Sequence, residues 1–285
     1  MKVRLLARDS KMPNIAIMKI STYHKHLGDD VDWYNPIFDY NNTDILYESI
    51  LFNFTKPYAY YPNCKIIKGG TGFDIKSQLP KEIDEIIELD YSLYPNCDYS
   101  MQFYSRGCVR NCSFCVVREK EGFIKSVQPF KLNPNGKHIE VLDNNFFANP
   151  EWKNAVKDLL RINQPINLHG VDVRTLTQEK CVALNKLKHY KQIHIAWDFP
   201  KFDMKPLLEY VLQWIKPYKL MCYVLIGFNS TKEEDLYRVE ELRKLKIDPF
   251  VMPYNKKDSY QKSFARWVNM KATFKSVKWQ DYKKS

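Results

Sequence analysis

The stretch "RGCVRNCSFC", residues 106–115, sets thiols at Cys108, Cys112 and Cys115 in a C-x3-C-x2-C spacing, with an aromatic residue, Phe114, just before the last. Thiolates this close in sequence can share one inorganic centre. A cubane iron–sulfur cluster has four irons and is ordinarily held by cysteines. Three cysteines leave one iron open, and an open iron is a binding position for a small molecule. A Cys3His zinc site is one alternative. Zinc motifs usually pair two ligand knuckles, and the next histidine, His138, lies in a strand candidate with no second ligand at zinc spacing. Structural or redox-active thiols are the other.

The remaining cysteines, Cys64, Cys97, Cys181 and Cys222, are scattered singly, and the total of seven is odd. That is not a disulfide framework. The N-terminal run MKVRLLARDS reads as a strand and lacks a signal peptide's long apolar region. A reducing, cytoplasmic setting is expected. No run of apolar residues is long enough to span a membrane. The 285 residues allow one large domain or two modest ones, and the 45% hydrophobic content suffices for a sizeable core. With 44 Lys and Arg against 33 Asp and Glu the net charge is +11, which favours anionic partners such as nucleic acid or nucleotides.

Outward from the cysteines, the hydrophobic pattern divides the chain. Residues 1–98 read as a small α/β unit, Rossmann-like in its alternation, with strand candidates at 3–7, 31–37, 44–54 and 65–70 and a helix over 15–26. The turn "KGGTGF" lacks the Gly-Lys-Ser/Thr ending of a phosphate-binding loop. Residues 99–255 repeat strand, loop and helix, with strands at 100–105, 138–143, 166–173, 194–199, 220–228 and 248–254. Asn149 followed by Pro150 predicts a helix start, Thr177 a second, and Thr231 with Glu234 a capping box for a third. The apolar run LMCYVLIGF (220–228) reads as a strand buried on both faces. Six β/α units in order predict a parallel sheet with helices outside. The extension 256–285 mixes lysines with aromatic rings; Phe264, Trp267, Val268 and Lys271 fall at helical spacing, although such a tail also suits nucleic acid.

C-x3-C-x2-C with Phe114 before its last cysteine, in the loop after the first strand of such a unit, resembles the radical S-adenosylmethionine (SAM) superfamily. The resemblance covers about residues 99–255. It implies a partial (β/α)6 barrel, a [4Fe-4S] cluster on Cys108, Cys112 and Cys115, and SAM bound through its amino and carboxylate groups at the open iron. It implies further that a one-electron reductant such as flavodoxin or ferredoxin drives SAM cleavage to a 5′-deoxyadenosyl radical, which takes hydrogen from substrate, and that the enzyme is oxygen-sensitive. The first section more weakly resembles the N-terminal domain of cobalamin-type members. The cobalamin-ligating D-x-H-x-x-G is missing, however: "YHKHLGD" (23–29) has no Asp at that spacing, so cobalamin is not expected.

By strand position the resemblance nominates further SAM contacts. "LDNNFF" (142–147) stands where members carry a Gly-Gly-Glu-like stretch, offering Asp143, Asn144 and Asn145. Asp172 and Arg174 end the third strand, with Arg174 the candidate for the methionine carboxylate. Asp198 suits the ribose hydroxyls, Gly227 a close approach of adenine, and Met252 packing on the adenine ring. His169 falls on the third strand, where a satisfied structural histidine competes with a substrate contact. The family's RNA methylthiotransferases carry extra N-terminal cluster cysteines and a C-terminal RNA-binding barrel, and neither pattern is legible here. The expected function is radical SAM chemistry on an anionic substrate, a nucleotide or nucleic acid. An iron–sulfur electron carrier or nucleic-acid-binding sensor is the alternative.

Overall fold

The computed structural model describes residues 1–10 and 12–282 and divides into two compact units. The first comprises residues 1–103, 110–123 and 127–137; the second comprises 104–109, 124–126 and the chain from His138 onward.

In the first unit, β1 (Lys2–Ala7), α1 (Ile15–His26), β2 (Asp30–Trp33), β3 (Ile45–Ser49) and β4 (Lys65–Gly69) build a parallel sheet in the order β2-β1-β3-β4. Strand alternation sends Val3 and Leu5 to one face, where they pack with Ile17 and Ile20 of α1 and with Ile83 and Leu93. Arg4, on the opposite face, is buried between Asp39 (2.8 Å) and Asp30 (3.1 Å). Asn14 caps α1 by accepting from the Ile17 amide at 3.2 Å. In the "YHKHLGD" segment both ring nitrogens of buried His24 are engaged, by Asp29 at 2.7 Å and the Tyr47 hydroxyl at 3.0 Å. This unit also holds α2 (Lys81–Asp84), β5 (Tyr99–Gln102) and α3 (Val117–Glu121).

The second unit begins with two short antiparallel strands, β6 (Ser105–Arg106) and β7 (Lys125–Ser126). Strands and helices then alternate: β8 (His138–Val141), α4 (Trp152–Ile162), β9 (Ile166–Leu168), α5 (Gln178–Lys186), β10 (Ile193–Ala196), α6 (Lys205–Val211), β11 (Leu220–Ile226), α7 (Lys232–Lys244) and β12 (Asp248–Pro253). Pairing is parallel throughout, β8 with β9 and β10 with β11 and β12, and a parallel bridge from Val171 to Ile195 connects the extension of β9 to β10. Thr177 caps α5, and the Thr231–Glu234 capping box of α7 forms in both directions, at 3.2 and 2.8 Å. Asn149 departs from expectation. α4 starts at Trp152, and Asn149 sits a turn earlier. β11 also departs from it: Leu220, Cys222 and Val224 are buried on one face, but Met221 and Tyr223 on the other are only half-buried.

The C-terminal segment forms α8 (Ser259–Asn269) and α9 (Lys271–Ser276). Phe264, Trp267 and Val268 are buried along α8, as the helical reading of the tail requires, while Lys271 opens α9 and pairs with Asp248 at 2.7 Å. The Asn269 side chain accepts from the Val251 amide (2.7 Å) and donates to the Val251 carbonyl (3.0 Å). It thereby satisfies the backbone that β12 would otherwise expose as a sheet edge. Among the described residues no helix is long and apolar enough to cross a membrane.

Arg238 ties α7 to the sheet. Fully buried, it donates to the Trp197 and Leu225 carbonyls (2.8 and 2.9 Å) and pairs with buried Asp235 at 2.6 Å. Removing one partner of a buried pair strands the other's charge, so Arg238→Ala is expected to cost about 3–5 kcal/mol in denaturant unfolding. A loss under about 1 kcal/mol would show that water reaches Asp235 and relieves it.

Candidate functional site

The cysteine segment is an excursion with a defined neck. The chain leaves through β6, next to Cys108, and returns through β7, with Ser105 opposite Ser126 and Arg106 opposite Lys125. Both strands of the neck are fastened to the turn after β8. The buried Asp143 carboxylate accepts from the Tyr104 amide (2.8 Å) and from the Ser105 hydroxyl. Asn149 donates to the Tyr104 carbonyl (3.0 Å) and accepts from the Ser126 hydroxyl (2.6 Å) and the Glu151 amide (3.0 Å). The Glu151 amide bond is of capping type, so Asn149 opens the turn that leads into α4 and fastens the neck at the same time. Tyr104 is held at its other end, its hydroxyl donating to Asp158 at 2.8 Å.

Cys108 lies in the second unit; Cys112 and Cys115 lie in the first, where the Cys115 amide donates to the Cys112 carbonyl at 2.9 Å in a single turn. Cys108 and Cys112 are half-buried, Cys115 is exposed and Phe114 is half-buried. No group of three His, Cys, Asp or Glu side chains that could hold a metal ion occurs among the described residues. An all-sulfur donor set of reduced thiols is the chemistry an iron–sulfur cluster requires.

Four nominated polar residues gather where β8, β9 and β10 end. Asn145 donates to Asp172 at 3.4 Å, and Asp172 accepts from the Arg174 side chain in bidentate fashion, at 2.7 and 3.1 Å. The Arg174 guanidinium lies over the Phe199 ring, 6.0 Å from its centre. Asp198 stands next in the chain, its carboxyl pushed above the ordinary range by burial against the opposing pull of Arg238 and Arg174. The Oδ1 atoms of Asn145 and Asp198 are buried with no hydrogen-bond partner. Two unsatisfied buried oxygens beyond the carboxyl ends of the parallel strands β8 and β10 suit a polar ligand there, where such folds ordinarily bind one. Asn144 is half-buried in the same turn.

Gly227 and Met252 belong to a separate group. Gly227 has φ +75°, and a Cβ on it would lie 2.1 Å from the Gln261 side chain; the close approach it permits is made here by that amide, which accepts from the Asn255 amide at 2.9 Å. Met252 pairs in register with Leu225 and is half-buried.

Two features escaped the sequence reading. Asp143, nominated as a ligand contact, is consumed by the neck. Gly170 carries the 143–145 turn: a Cβ there would lie 2.1 Å from the Asp143 carbonyl oxygen, and the Gly170 carbonyl accepts from the Phe146 amide at 2.9 Å. A glycine just past a strand was the available signal.

Curated relatives match part of this chain. Each of the following is a "Ribosomal protein uS12 methylthiotransferase RimO". The protein from Psychrobacter arcticus is 26% identical over 167 residues, 54% of this chain and 28% of the relative. That from Francisella tularensis subsp. novicida is 23% identical over 155 residues, 50% of this chain and 31% of the relative. That from Burkholderia mallei is 25% identical over 188 residues, 59% of this chain and 37% of the relative. The chain thus spans roughly a third of the length of the relatives it matches. No family model matches. At low identity over about half of the chain, these likenesses support the resemblance to the radical SAM superfamily.

Two measurements check the neck. Burial raises the Asp143 carboxyl from 3.8 to about 6, against the pull of its hydrogen bonds from Ser105 and Tyr104. The folded chain therefore holds this proton more tightly than the unfolded chain. Stability from this group is complete below about pH 4 and is lost as pH rises to about 6, by roughly 3 kcal/mol. Asp143→Asn should flatten urea-derived stability across that window; an unaltered slope would mean that another group titrates there. Gly170→Ala should cost more than the ordinary ~1 kcal/mol of a surface change, because backbone rather than a flexible side chain blocks the new methyl. Equal unfolding midpoints would show that the 143–145 turn shifts freely.

Proposed function

We propose that this chain is a radical SAM enzyme that modifies a polypeptide substrate. The observation that carries this reading is the three-cysteine excursion, anchored by the turn that also places Asn145's unpartnered oxygen at the ends of the parallel strands. In this reading residues 1–98 form an accessory α/β domain, 99–255 the partial six-unit barrel and 256–285 an extension packed as α8 and α9. Cys108, Cys112 and Cys115 hold the [4Fe-4S] cluster. When bound, cluster and SAM together supply a 5′-deoxyadenosyl radical able to abstract hydrogen from carbon, given an electron from a small carrier.

The protein's own part is binding and orientation. Arg174, aligned by its bidentate pair with Asp172, is the guanidinium proposed to meet the methionine carboxylate. The Asn145 oxygen accepts from an ammonium, and Asp198 from ribose hydroxyls, which would satisfy both orphaned atoms. Asn144, Phe114, Gly227 and Met252 complete the contacts around the nucleoside. The relatives' names specify a ribosomal protein as acceptor, which favours a polypeptide over the nucleic acid suggested by charge.

Anaerobically reconstituted protein reduced with dithionite should give a cluster EPR signal that shifts on adding SAM, followed by 5′-deoxyadenosine. Cys108→Ala, Cys112→Ala and Cys115→Ala should each abolish that product. A single such variant with full activity would falsify the cluster assignment. Arg174→Ala should weaken SAM binding by about 1.5–3 kcal/mol, roughly 10- to 150-fold. Unchanged SAM affinity removes Arg174 from the site.

A further inference from the structure

Parallel strands covered by helices usually bury apolar residues on both faces. In the second unit one face does so, through Ile139, Leu168, Ile195 and Val224 among others. The alternate positions carry Glu140, Asn167, His169, His194, Tyr223 and Phe250, with Glu140 in register with Asn167 and Tyr223 with Phe250. Nothing in the cofactor-binding reading uses them.

Glu140 is the hub. Its Oε1 accepts from His138 Nε2 at 3.0 Å, and its Oε2 accepts from Asn167 Nδ2 at 2.8 Å and from His169 Nε2. Burial alone would raise its pKa, but the bonds from His169 and Asn167 outweigh burial and hold it below the usual range, ionised. Burial pushes His194 the other way, toward its neutral form, with His169 adding to the effect. Two atoms remain without partners, Asn167 Oδ1 and His194 Nδ1, on side chains of residues only 4% and 6% exposed. An unpaired buried polar atom costs about 1–3 kcal/mol, and two on one face mark a place where a ligand can supply the missing partners. The margin is aromatic and more open: His169 is exposed, the Tyr223 ring lies 5.3 Å from His194, and Phe250, also exposed, lies 5.6 Å from Tyr223. A carboxylate, a bare amide oxygen and ring faces, with no lysine or arginine among the six, disfavour an anion. They suit a planar cation rich in N–H donors.

We propose that this polar face is a substrate subsite for a guanidinium-type head group. The proposal names a substrate class for the enzyme proposed above and rests on that reading.

The test is calorimetric titration of the reconstituted full chain with agmatine, with the peptide acetyl-Gly-Arg-Gly-amide, and with cytidine and inorganic phosphate as counter-probes. Saturable binding of agmatine, or of the peptide alone, is expected, weakened at least tenfold in Glu140→Gln. Agmatine binding assigns the head group itself, and peptide-only binding assigns an arginine within a polypeptide. Should Glu140→Gln fail to fold, His169→Gln, at an exposed position, must show the same loss. No saturable binding of either cation, binding indifferent to both variants, or equal binding of cytidine or phosphate would overturn the subsite. 5′-Deoxyadenosine formation on the same preparations separates the two ideas. SAM cleavage without agmatine or peptide binding removes the subsite alone. Binding without SAM cleavage removes the radical reading and leaves the subsite standing.

Discussion

The arrangement depends on a few hydrogen bonds that close a loop. Asp143 and Asn149, both buried in one turn after β8, grip Tyr104 and Ser105 on one side of the cysteine excursion and Ser126 on the other. Fixing the two ends of a segment removes most of its freedom at its base. Tyr104, Ser105, Asp143 and Asn149 are buried, which strengthens the bonds among them and makes an unmade partner there costly. Burying a carboxyl among neutral donors has a consequence, since Asp143 is drawn toward its protonated form near pH 6. Gly170 permits the arrangement, because only a residue without a side chain lets the turn pass directly over the end of β9.

The second unit separates its duties by strand alternation. One face of its parallel strands is apolar and carries the stabilising burial, reinforced where Arg238 reaches into the sheet. The other face holds the Glu140 network, and the strand ends hold Asn145, Asp172, Arg174 and Asp198. Polar groups left partly unsatisfied occur at both places, on the sheet face and at its carboxyl edge. Such groups oppose stability unless a ligand or water completes them.

Much of the fold was legible because local chemistry and tertiary structure agree. The α1 boundaries, the Thr177 cap, the Thr231–Glu234 box and the strand order of β8 to β12 follow from periodicity and capping, which act between residues close in sequence. Asn149-Pro150 reads as a helix start for the same local reason; Asn149 does take the Glu151 amide, but α4 begins only at Trp152 and the same side chain also holds Ser126 and Tyr104. Those two partners lie 23 and 45 residues away, beyond any window of local reading. Likewise the run 220–228 read as buried on both faces, since hydropathy cannot show that Tyr223 neighbours His194 and Phe250.

By itself the sequence determined the α/β alternation, the three-thiol motif and the residues at the strand ends, because spacing along the chain encodes all of these. Tertiary structure alone decided which of those residues remain available to a ligand. Asp143 was absorbed by the neck, while Asn145 and Asp198 kept unpartnered oxygens. It also brought Glu140, Asn167 and His169 into one hydrogen-bond network and set His194 on the same face. The physical reason is the same throughout: hydrogen bonding is a competition among all groups within about 3 Å, and only the folded chain fixes which groups those are.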